Sequence, residues 1–192
     1  MLRGESNQTG SNLLEQVDDR KESNVEQPEL FKFKPPKTRK RKEPQEYKVI
    51  ALRECPVPEK MALCDTPDRA ADYWRLHVQT CPYFNPECEC FVILMLNTRR
   101  RVKGHQLLTI GTLDTLLVHP REVFRLAIHA SASAIVLMHN YPSGEPQPSE
   151  ADIKVTRDLI RAGQLLKIDV LDHVIVGNQR HCSLRELGYF YS

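Results

Sequence analysis

A mixed α/β fold, one β-sheet sandwiched by helices, is the architecture this sequence predicts. Three observations carry the prediction. Residues 89–96 and 134–138 are apolar runs too short for free-standing helices, and they read as buried strands. Pro120 and Ser149 each open a segment with helical apolar spacing. The resulting order (helix, hairpin, helix, strand, helix, strand) belongs to a layered α/β domain.

At 192 residues the chain suits one domain, residues 47–192, behind a polar and basic tail, residues 1–46. An apolar fraction of 41% with 27% charged residues is globular chemistry, and a net charge of +2 selects no partner. No apolar run approaches the ~18 residues that span a bilayer. Polar residues follow Met1-Leu2 where a secretory leader would need an apolar stretch, so a soluble, cytoplasmic protein is expected. The six cysteines contain no Cys-x-x-Cys pair, Cys88 and Cys90 being the closest. They read as reduced, small apolar fillers rather than disulfides or a structural zinc site.

Taken in order, the tail through Leu30 is rich in Asn, Gln, Ser, Glu and Asp without a sustained period, which predicts disorder. Residues 31–42 carry Lys37, Arg39, Lys40, Arg41 and Lys42 beside Phe31 and Phe33. That is either a solvated, proline-stiffened tail or an arm binding nucleic acid without sequence preference. Residues 47–52 read as a first strand. Thr66 and Pro67 open a helix whose stripe includes Ala70, Ala71, Tyr73, Trp74 and Leu76. Residues 89–96 form a central strand, 97–101 a basic turn, and Val102 starts the return strand, with 107–112 continuing the sheet. The Pro120 helix presents Phe124, Ala127 and Ile128, and the Ser149 helix presents Ile153, Val155, Leu159, Ile160 and Ala162, with Gly163 as a stop or bend. Residues 168–177 supply one more strand, split by Asp172 and His173, and 183–187 a short terminal piece.

The sharpest chemical signal is His139-Asn140-Tyr141-Pro142-Ser143-Gly144, followed by Ser149 and Asp152. A strand delivers a histidine into a proline-rich loop. Ser149 then caps the next helix, with Asp152 completing a capping box. Singly, each residue has a plainer duty: His139 bonding backbone at a strand end, Ser149 and Asp152 closing a helix start. Together they place imidazole and carboxylate, the ligands of open zinc sites, at one strand–helix junction.

This spacing resembles the JAB/MPN metallohydrolase (JAMM) motif, His-x-His, seven residues, Ser-x-x-Asp. With Val118-His119-Pro120-Arg121-Glu122-Val123-Phe124 and Leu171-Asp172-His173-Val174-Ile175-Val176-Gly177, the chain is similar to the RadC branch over roughly residues 65 to 190. The resemblance implies a JAB/MPN-like (cytidine-deaminase-like) mixed sheet and a zinc-dependent peptidase or isopeptidase. It places His139, Asp152 and position 141 around one zinc ion, Ser149 as the oxyanion donor, and a glutamate as general acid/base. By position before its strand that glutamate is Glu89, unless Glu89 lies just outside the sheet in water. Glu122, which also suits its helix's first turn, is the second candidate.

Tyr141 stands where the family motif has its second histidine. A phenol with a pKa near ~10 is neutral at pH 7 and competes poorly for zinc. The expectation is therefore weak or absent zinc binding and weakened or lost activity. The alternative is a non-catalytic binding module, with the basic arm supplying nucleic-acid contacts; the polar tail occupies the place of the family's frequent DNA-binding-like helical module. His173 is either a replacement ligand oriented by Asp172 or a buried, hydrogen-bonded histidine, and His119 and His105 have weaker claims.

Overall fold

The computed structural model describes residues 48–59, 62–111 and 118–190. The expectations for the tail, including Lys37, Arg39, Lys40, Arg41 and Lys42, lie outside the described residues. Residues 48–52, expected with Tyr47 as a first strand, have no regular structure. Val49, Ile50 and Leu52 are exposed, so this β-prone run finds no partner strand among the described residues to bury it.

Five strands make one sheet in the order β2-β1-β3-β4-β5. They are β1 (Glu89–Leu96), β2 (Val102–Gly111), β3 (Ala134–Asn140), β4 (Asp169–Val176) and β5 (His181–Ser183). β3 and β4 are parallel, and the other neighbours are antiparallel. Helix α1 (Pro67–Tyr73) runs into a π-helical turn (Trp74–Val78), and α2 (Pro120–His129) and α3 (Glu150–Leu166) are the other α-helices among the described residues.

Both faces of the sheet are covered, which is why residues 90–96 of β1 and 134–138 of β3 are apolar and both strands are buried at every residue. Cys90, Val92, Leu94 and Leu96 pack with Ala134, Val136 and Met138 against Ala70, Tyr73 and Trp74. Phe91, Ile93, Met95, Ile135 and Leu137 face the other way, onto Val123, Phe124 and Ala127 of α2 and Leu159 of α3. Glu89 and His139 share that second parity, so strand alternation aims both toward the α3 face.

β4 is continuous rather than split at Asp172. It carries a bulge instead: Ile135 pairs with Val170 and Val136 with Asp172, leaving Leu171 as an extra residue. The bulge reverses the alternation beyond it, so Asp172 turns to the α1 face and His173 to the α3 face. Asp172 accepts from the backbone N–H of His173 and from Ser183 Oγ, at 2.7 and 2.6 Å. It does not orient the His173 ring, because adjacent side chains of a strand point to opposite faces of the sheet.

Helix α3 begins where predicted, with Ser149 and Asp152 forming a complete capping box. Gly163 does not end it. A Cβ there would lie 2.5 Å from the Ile168 carbonyl, so glycine serves a close approach while the helix runs on to Leu166. Lys167, in the left-handed region at φ 56°, terminates the helix instead.

Candidate metal centre

Three elements bring their ends together at one point. His139 lies near the C-terminal end of β3, Glu89 opens β1, and Asp152 sits in the first turn of α3. One ligand atom from each lies within 4.8 Å of the other two, and all three residues are buried. Glu89 is therefore not outside the sheet in water; it is 5% exposed.

Glu89 is held there through its backbone. Where β1 passes the end of β3, the Asn140 side chain replaces strand pairing: Oδ1 accepts from Cys90 N at 3.0 Å, and Nδ2 donates to the Cys88 carbonyl at 3.1 Å. One amide thus grips the chain on both sides of Glu89. Burial first, and the neighbouring Asp152 charge second, push its carboxyl up to about 7.

Asp152 uses its two oxygens differently. Oδ2 accepts from Ser149 N at 2.8 Å, from Ser149 Oγ at 2.7 Å, and from the Tyr141 hydroxyl. Oδ1 faces His139 Nε2 at 3.5 Å. Burial works to raise this carboxyl, but the adjoining imidazole and the Tyr141 and Ser149 donors outweigh it and hold it below its usual value. Tyr141 is pushed up to about 12 by burial and by its bond to Asp152, so the phenol is a neutral donor.

His139 is fully buried, and burial drives its pKa down to about 4. Its Nδ1 meets His173 Nε2 at 2.8 Å, and His173 Nδ1 meets Thr156 Oγ1 at 2.6 Å. His173 therefore has both ring nitrogens engaged beneath His139 and is not a replacement ligand.

The remaining atoms fit a cation. His139 Nε2 and Glu89 Oε1 are buried without hydrogen-bond partners, an arrangement that is costly when left bare. Two ligands each ~2.1 Å from a tetrahedral ion stand about 3.4 Å apart. The observed 3.5 Å between His139 Nε2 and Asp152 Oδ1 matches that spacing. Neutral imidazole and carboxylate are both acceptors, and a positive ion between them satisfies both.

The other sequence candidates lie elsewhere. Glu122 is half exposed in α2 and paired with Arg121 and Arg125, at 3.4 and 3.6 Å. His119 flanks α2 without a capping bond, and His105 of β2 meets the Tyr73 hydroxyl of α1 at 2.9 Å. Ser149 is at the site, yet its hydroxyl is committed to Asp152. A cleft of about 490 Å³ on the α1 face is lined by Arg100, Asp172 and Arg185 but by none of the three converging residues. Sequence reasoning missed Asn140 and Thr156. Thr156 had a readable signal, since it lies one helical turn after Asp152 and so on the same face.

The Pro142-Ser143-Gly144 loop is seated on the end of β4. Asn178 N donates to the Gly144 carbonyl at 3.3 Å, and a Cβ on Gly177 would lie 2.3 Å from that oxygen. Glycine at 177 is what lets the loop close over the site's edge.

A family model described as RadC-like JAB domain matches residues 64–189. A UPF0758 protein of Caldanaerobacter subterraneus is 51% identical over 102 residues, covering 53% of this chain and 44% of its own length. A UPF0758 protein of Desulforamulus reducens is 48% identical over 100 residues, 52% of this chain and 44% of its own. A UPF0758 protein of Methanosarcina mazei is 44% identical over 101 residues, 53% of this chain and 44% of its own. The chain thus spans less than half the length of these curated relatives.

Proposed function

The chain belongs to the RadC-like JAB domain family, and from that premise we propose that it is a zinc-dependent hydrolase of peptide, isopeptide or related amide bonds, weakened by Tyr141. The observation that supports this best is the convergence of one ligand atom each from buried Glu89, His139 and Asp152 within 4.8 Å, with His139 Nε2 and Glu89 Oε1 left without hydrogen-bond partners.

His139 and Asp152 would hold the ion, with Glu89 beside it. A bound divalent cation supplies Lewis-acid polarisation of the scissile carbonyl and makes an adjacent water more acidic. Glu89 would serve as the base that takes a proton from an attacking water and the acid that returns it to the leaving nitrogen, so one water is consumed and an acid and an amine are released. Ser149 donates to the developing oxyanion only after its hydroxyl turns away from Asp152 Oδ2. Tyr141 contributes a donor to Asp152 where the family motif has an imidazole, so a bound ion would have one nitrogen ligand fewer.

That same contact favours a second reading, a non-catalytic binding module in which Lys37, Arg39, Lys40, Arg41 and Lys42 contact nucleic acid. Metal analysis of the purified chain, followed by zinc titration and turnover of an isopeptide-linked substrate, separates the two. The hydrolase reading expects zinc binding that His139→Ala and Asp152→Ala abolish, and turnover that Glu89→Gln abolishes. A chain that takes up no zinc and cleaves nothing leaves only the binding module.

A further inference from the structure

We infer that His173 and Thr156 are positioning residues: they fix the proton on Nδ1 of His139 and leave its Nε2 bare toward Asp152. The assignment follows from three buried contacts, and only its consequence for cation binding rests on the metallohydrolase reading.

Thr156 Oγ1 lies 2.6 Å from the backbone carbonyl of Asp152 and 2.6 Å from His173 Nδ1. His173 Nε2 lies 2.8 Å from His139 Nδ1. Thr156, His139 and His173 are all 0% exposed, so no bulk water completes these bonds. A carbonyl oxygen only accepts. The Thr156 proton must therefore point at Asp152 O, because otherwise two oxygen lone pairs would face each other at 2.6 Å.

With its single proton spent, Thr156 can only accept from His173, so Nδ1 of His173 carries hydrogen. A neutral imidazole has one N–H, and two touching rings that are both 0% exposed favour the neutral form, because a buried charge is costly. Nε2 of His173 is then a lone pair, and it accepts from Nδ1–H of His139. His139 Nε2 is left unprotonated, 3.5 Å from Asp152 Oδ1. The relay begins and ends in one residue, running from the Asp152 carbonyl through one turn of α3 and two rings back to its carboxylate. The bulge at Leu171 makes it possible by turning His173 onto this face. Metal-binding histidines are commonly oriented by a carboxylate or a carbonyl on the second nitrogen; here a second imidazole and a threonine hydroxyl carry that role.

The test uses the full chain, labelled with ¹⁵N-histidine, stripped of cations by a chelator and held at neutral pH. Long-range proton–nitrogen correlation should show His139 with a protonated Nδ1 and a pyridine-type Nε2, and His173 likewise. Thr156→Val removes the acceptor and should scramble or reverse the His139 tautomer. Zinc affinity, read by competition with a chromophoric chelator, should fall ~10- to 100-fold, and Thr156→Ser should restore both readouts. A proton on Nε2 of His139 in the unaltered chain overturns the inference, as does a Thr156→Val protein with unchanged spectrum and affinity. If Thr156→Val does not fold, the unaltered chain's spectrum still decides. An unaltered chain with the expected spectrum but no zinc uptake would sink the hydrolase reading and leave the relay standing.

Discussion

The hydroxyl of Tyr141 donates to Oδ2 of Asp152, the oxygen that already accepts from the backbone and side chain of Ser149. Three donors on one oxygen turn the other, Oδ1, toward His139. Tyr141 therefore acts on a candidate ligand rather than adding a lone pair of its own. Tyr141→His exchanges that donor for an imidazole in the position the family motif gives one. Zinc affinity in a chelator competition should rise ~10- to 100-fold. An unchanged dissociation constant would show that position 141 does not reach the ion.

Glu89→Gln should stabilise the cation-free protein and abolish turnover. The Glu89 carboxyl is raised from 4.5 to about 7, so between those values the folded chain keeps a proton that the unfolded chain has lost. The charge therefore destabilises the fold progressively as pH rises through that window, and fully above it. Denaturant melts should show a gain of about 1–3 kcal/mol for the variant at pH 8 and little at pH 4.5. An equal gain at both would exclude ionisation of Glu89 as the cause.

Asn140→Ala leaves a buried N–H on Cys90 and a carbonyl on Cys88 without their partner. The expected loss is about 1–3 kcal/mol of stability. Weaker zinc binding should accompany it, because Glu89 is no longer gripped. Full stability with unchanged zinc affinity would mean that water replaces the amide at no cost.

His105 links the acid side of the stability profile to a place outside the site. Burial, then the nearby Arg53, lowers its pKa to about 4 against 6.5 for the unfolded chain. The unfolded chain thus binds the proton first, and stability present above 6.5 is lost as pH falls toward 4. Thermal melts at pH 7 and pH 5 should differ less in His105→Gln than in the unaltered chain. Identical pH slopes would assign the acid sensitivity to other groups.

Gly163→Ala sets two effects against each other. Alanine favours a helix interior over glycine by about 1 kcal/mol. Its Cβ, however, would lie 2.5 Å from the Ile168 carbonyl, a backbone atom that cannot swing aside. Overpacking of this kind costs typically about 1–3 kcal/mol, so a net loss of stability is expected. A variant as stable as the parent would show that the Lys167 turn yields easily.

The elements that position the site were legible where local chemistry decides them. Pro67 with Thr66, and Ser149 with Asp152, marked helix starts through capping, and the apolar runs of β1 and β3 marked strands covered on both sides. Residues 48–52 misled because β-propensity describes a half-buried surface that this segment never meets. Gly163 misled because a glycine signals a helix end and a close backbone approach alike. The support beneath the site was hidden for a different reason. Asn140 meets Cys88 and Cys90 about fifty positions away, and His173 reaches His139 only because one bulge resets the strand's parity. No periodicity in either segment records those two facts.

The capping box at the head of α3 has a practical outcome. Ser149 and Asp152 satisfy each other whether or not an ion is near, so nothing in the helix waits for one before it forms. A single preparation can be dialysed bare, charged with one transition metal after another, and compared without refolding between rounds.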